Sequence, residues 1–121
     1  MNINIPPVLL WENSNPTSTF AAQTISVSSM TKYSQLLFLC RFRSTQANYV
    51  SNMVIKDTSG TKYLLCGNSY NSSNDKVSAA ARAVSIPSET QITFDASYSF
   101  DYNQQGLYNE WMIPYRVYGI K

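Results

Sequence analysis

Leu36, Phe38, Cys40 and Phe42 alternate with Leu37, Leu39, Arg41 and Arg43. Successive side chains of an extended chain point to opposite faces, so one face of this run is apolar throughout and the other turns basic at its end. The pattern predicts a central strand, buried on one side and partly covered on the other. Period-2 patterning dominates the rest of the chain. Tyr49–Lys56 and Thr61–Cys66 are separated by Asp57-Thr-Ser-Gly60, which predicts a hairpin: Asp suits the first turn position and Gly supplies a positive φ. Ile92 and Phe94 share one face, as do Trp111, Ile113, Tyr115 and Val117. Pro114 inside the last run predicts an edge strand or a bulge, because proline has no N–H for a ladder. Val77–Ile86 is ambiguous: Ala79–Arg82 suits the start of a helix, but Val84, Ile86 and Pro87 favour a strand, which is the preferred reading.

Together these runs predict about seven to eight short strands with turn signals between them and no confident helix. The expected fold is all-β, a single antiparallel β-sandwich domain over residues 1–121, with a jelly roll as the finer alternative. Trp11 and Trp111 sit in strand patterns near the two ends, which predicts a shared core position rather than a ligand platform, and neighbouring terminal strands.

Composition narrows the function. Charged residues make up 13% of the 121 positions, against roughly 25% in ordinary soluble proteins, and histidine is absent. Without histidine there is no Ser–His or Cys–His nucleophile, and no Gly-x-Ser-x-Gly elbow is present. Cys40 and Cys66 do not make a zinc site on their own. They read as two buried thiols in apolar strands, with a disulfide the lesser alternative. Asp95 and Asp101 are the best carboxylate pair, but the spacing of the acids names no glycosidase site. No enzyme activity, cofactor or metal is expected. The net charge is +2 and the nine basic residues are scattered, so the stripe that nucleic-acid binding requires is missing. Met1–Pro7 has neither a basic nor an apolar leader region, and no apolar run approaches the roughly 20 residues of a membrane span. Neither a secretory leader nor membrane insertion is expected.

The loops carry the positive signal. Gly67–Asp75 and Ser97–Glu110 mix Tyr with Ser, Asn and Gly. Tyr offers a large contact area with few rotatable bonds, and small polar residues supply adaptable hydrogen bonds, the mixture found in binding loops. Tyr70, Tyr98, Tyr102 and Tyr108 are the candidate ligand contacts, with Asn71, Asn74, Asp101 and Asn103 as polar partners. A surface loop with buried tyrosine anchors is the competing reading.

Three segments carry a family resemblance. Leu10-Trp-Glu-Asn-Ser-Asn-Pro16 is followed by Phe20-Ala-Ala-Gln-Thr-Ile25. Arg82-Ala-Val-Ser-Ile86 precedes Ile92-Thr-Phe-Asp-Ala96, and the chain closes on Tyr118-Gly-Ile-Lys121. The set resembles a small β-domain of tail-fibre and other virion proteins of phages of Gram-positive hosts. The resemblance implies a virion structural role: a tail or fibre-tip adhesion domain that binds host-surface carbohydrate, made in the host cytoplasm and resident on the particle. It implies other virion proteins as partners and a homo-oligomer, a trimer being favoured. Leu37 and Leu39, opposite the presumed core face, are the candidate interface. The alternatives are a capsid-decoration or head-fibre protein without glycan binding, and a small lectin-like module. The opening motif reads as fold-specifying: Leu9–Trp11 as the first core strand, Asn13–Thr19 as a tight loop with Pro16 fixing φ, and Phe20 returning to the core.

Overall fold

The structure is a computed structural model and describes residues 6–71, 76–100, 105–107 and 109–121. It is all β. The strands are β1 (Val8–Glu12), β2 (Gln23–Ser26), β3 (Gln35–Arg43), β4 (Gln46–Ile55), β5 (Lys62–Asn71), β6 (Lys76–Ser88), β7 (Gln91–Phe100), β8 (Gln105–Leu107) and β9 (Trp111–Ile120). Two antiparallel sheets pack as a sandwich. The back sheet runs β1-β9-β3-β4; the front sheet runs β2-β7-β6-β5, with the three-residue β8 also beside β7. Eight strands thus form the two main paths, and β8 extends one of them. The hairpin neighbours β3-β4 and β5-β6-β7 are consecutive in the chain.

The founding pattern is realised in β3. Leu36, Phe38, Cys40 and Phe42 are buried, while Leu37, Leu39, Arg41 and Arg43 are half-buried on the outer side. Val77–Ile86 lies within β6 as a strand. β1 pairs with β9, so the terminal strands are neighbours. The two tryptophans join different aromatic groups. Trp11 packs with Phe20 and Phe94, and Trp111 meets Phe42 edge-on at 5.0 Å. Both cysteines are free thiols; burial pushes Cys40 up to about 12.

One expectation is corrected. The Asp57–Gly60 turn exists, with Gly60 at φ 72°, but it does not close a hairpin. β4 pairs with β3 and β5 with β6, so the turn carries the chain from one sheet to the other. Lys62 donates to the Asp57 carboxylate and to the carbonyls of Asp57 and Ser59, which anchors the crossing. A side chain replaces part of the missing ladder: Asn52 of β4 donates to the Leu65 carbonyl and accepts from the Leu65 N–H, both at 3.2 Å. At Pro114 the bulge is the alternative that holds: β9 lies between β1 and β3 and is no edge strand. Leu39 pairs with Arg116 and Cys40 with Pro114, so Tyr115 is skipped. Tyr115 therefore leaves the core face that alternation assigned it and packs half-buried against Tyr49.

The bulge explains the opening motif. Asn13 donates its backbone N–H to the Tyr115 carbonyl and its side-chain amide to the Pro114 carbonyl, at 2.8 and 2.9 Å. Its side-chain oxygen accepts from the Asn15 N–H, which tightens the loop. Phe20 then enters the core and stacks edge-on against Phe94 at 5.4 Å. At the other terminus, Gly119 is buried beneath Tyr33; a Cβ there would stand 2.6 Å from the ring.

Candidate ligand-binding groove

Strand β6 has two contrasting sides. Ala80, Arg82, Val84 and Ile86 are buried against the back sheet, while Ala79, Ala81, Ala83 and Ser85 alternate with them on the outer side. β6 lies between β5 and β7. Its outward methyl groups therefore form a low floor between two strands that carry larger residues. Tyr63 of β5 pairs with Ala83, and Tyr98 of β7 pairs with Ala81. Both rings stand out from the sheet, 61% and 46% exposed. The result is an open groove of about 470 Å³ lined by Tyr63, Ala81, Ala83, Asp95, Ala96 and Tyr98.

A bulge shapes the wall on the β7 side. Arg82 pairs with Ser97 and Val84 with Phe94, so Asp95 and Ala96 together face Ala83. Spending two residues opposite one brings both into the lining and leaves the Asp95 carboxylate exposed. The backbone of the bulge is held from within. Arg82 is fully buried and donates from Nη1 to the Asp95 carbonyl at 2.7 Å. Its Nε and Nη2 donate to the carbonyls of Met112 and Trp111 at 2.9 and 3.0 Å. Met112 has a left-handed φ of 45°, a conformation non-glycine residues rarely adopt, and the guanidinium fixes the carbonyls on both sides of that kink. Burial lowers the Arg82 pKa to about 10, which still leaves it cationic at neutral pH. One buried arginine thus ties the groove wall on β7 to the start of β9.

Of the residues singled out by sequence, the structure brings Tyr98 to the groove. Tyr70 and Asn71 lie at the end of β5, paired with Val77 and Lys76. Asn74, Asp101, Tyr102, Asn103 and Tyr108 lie outside the described residues, so the Asp95–Asp101 pair does too. Sequence reasoning missed Tyr63, the alanine floor and Arg82. The signals were present: three alternate alanines on an extended run imply a hollow, and an arginine at an inward position of an apolar strand implies a buried clamp. The assumed pairing of β4 with β5 hid the hollow, because it left Tyr63 without its true neighbour β6.

The outer face of the back sheet is built differently. Leu9 pairs with Tyr118, Tyr118 with Leu37, and Leu37 with Met53, giving an apolar row across all four strands. Leu37 and Leu39 are half-buried there, and Leu9, Met53 and Ile55 are exposed. Glu12 and Arg116 form an ion pair on this face, and the Arg116 guanidinium lies over Tyr115.

Among the described residues no group of three His, Cys, Asp or Glu side chains converges on a metal position. No helix among them is long and apolar enough to cross a membrane. Among the described residues that line the groove, Asp95 is the one carboxylate. The chain matches no family model, no curated protein and no solved structure.

Proposed function

We propose that this chain is a non-catalytic attachment domain of a phage virion, and that it binds host-surface carbohydrate on the outer face of its front sheet. The observation that supports this reading is the pair of outward tyrosines flanking an alanine floor. A pyranose ring has an apolar C–H face and a hydroxyl rim. Tyr63 and Tyr98 offer flat rings for the C–H face, their hydroxyls and the Asp95 carboxylate serve the rim, and the alanines leave room between them. Apolar walls with a few convergent polar groups are the usual make-up of a small-molecule site. The groove is open, which suits weak individual binding strengthened by several copies on one particle.

Multiple copies require an assembly surface. We assign it to the back sheet, where Leu37 and Leu39 share the outer face with the exposed Leu9, Met53 and Ile55. Docking there, with a trimer favoured, leaves the groove facing outward. The same surface also suits a capsid-decoration subunit seated on its shell, the reading favoured if the groove proves silent.

The test is a cell-wall binding assay on Tyr63→Ala and Tyr98→Ala. Each substitution is expected to weaken binding about tenfold, in line with the loss of one aromatic anchor. Both rings are exposed, so stability should change by no more than about 0.5 kcal/mol. Unaltered cell-wall binding by both variants would overturn the groove as the attachment site.

A further inference from the structure

Among the described residues, Asp95 is the only charged side chain that lines the groove. Among the described residues its carboxylate has neither an ion-pair nor a hydrogen-bond partner; only its backbone carbonyl is engaged, by Arg82. The cations nearest in sequence and pairing are committed elsewhere. Lys62, beside Tyr63, is held in the Asp57 turn. Arg82 lies on the core side of the sheet with its donors on three carbonyls. The groove therefore presents an unpartnered negative charge between two tyrosine rings whose faces are themselves negative.

Resting on the glycan reading above, we infer that the groove selects carbohydrate carrying a free, protonated amino group over the N-acetylated or anionic forms of the same sugar. An ammonium group on the ligand meets the Asp95 carboxylate and the ring faces together. An acetamido group in the same place supplies no charge, and a phosphate or carboxylate group meets a like charge. Both attractions act at an exposed site, where an ion pair and a cation–π contact are each modest, so the preference amounts to about tenfold. The positive charge of Arg82, on the other side of the sheet, opposes the attraction and keeps it from being larger.

The experiment is calorimetric titration of the full chain with chitosan oligomers and with chitin oligomers of equal length, below the pKa of the chitosan amines and at low and high salt. The two probes share ring and linkage and differ in the amino substituent. Chitosan is expected to bind about tenfold tighter at low salt, with the gap narrowing at high salt. Asp95→Asn keeps the side-chain shape and should bring the two affinities together. Chitin binding as tightly as chitosan, or a preference that persists in Asp95→Asn, overturns this inference and leaves the glycan reading standing. Failure of both oligomers to bind, or equal binding by wild type and Tyr98→Ala, overturns both.

Discussion

Strand β6 places two opposite environments a strand's thickness apart. On its inner side Arg82 is buried in line with Val84 and Ile86, and each of its three nitrogens donates to a carbonyl. On its outer side Ala81 and Ala83 leave a hollow that Tyr63 and Tyr98 flank without filling. The inner side is closed and fully committed; the outer side is open, and its one charge is unpartnered. Gly119 offers the reference case, because there a small residue also lies beneath a large ring, yet the chain's own Tyr33 fills the space. A hollow that the protein fills contributes to stability, and a hollow that it leaves open is available to a ligand. Substitutions should therefore separate into those that unfold and those that only unbind.

The largest effect is expected from Arg82→Met. The change keeps a long apolar stem but strands three carbonyls, two of them belonging to the strained start of β9. Each buried unsatisfied group costs about 1–3 kcal/mol, so a loss of about 3 kcal/mol or more is expected. At about 4 °C per kcal/mol this is a fall in Tm of about 12 °C by scanning calorimetry. Next is Gly119→Ala, which drives a methyl into the Tyr33 ring; overpacking of this kind costs about 1–3 kcal/mol in a denaturant titration. The comparison sharpens with Ala83→Leu, which adds bulk in the open hollow. Its stability should stay within about 0.5 kcal/mol of wild type, while cell-wall binding falls about tenfold or more. A smaller contrast lies in the thiols. Cys40 is buried and its pKa is raised to about 12, whereas Cys66 is half-buried. In the native protein an aromatic disulfide reagent should label Cys66 and leave Cys40 unlabelled until denaturant is added.

The sandwich was legible because the front and back sheets each bury one face, which writes period-2 alternation into β3, β6 and β7. Pairing was less legible. Asp57-Thr-Ser-Gly60 has the chemistry of a tight turn whether the next strand returns to the same sheet or crosses to the other, and the crossing is held by Asn52 of β4 meeting Leu65 of β5 and by Lys62 folding back onto the turn. Pro114 signalled irregularity correctly, but a bulge in an interior strand needs a partner for the freed carbonyls, and that partner, Asn13, is 101 residues away. The groove was the least legible feature. Tyr98 was identified from its loop-like surroundings, whereas Tyr63 and the alanines matter only through the cross-strand register of three strands. Arg82 reads in the sequence as one of nine scattered basic residues, and arginine is seldom fully buried.

The most direct test of the central claim is an NMR titration of the labelled chain with host cell-wall oligosaccharide, following the backbone amides. The account predicts shift changes centred on Tyr63, Ala81, Ala83, Asp95 and Tyr98, with the outer face of the back sheet at Leu37, Leu39 and Met53 undisturbed. Changes confined to the back sheet, or no changes at all, would contradict it.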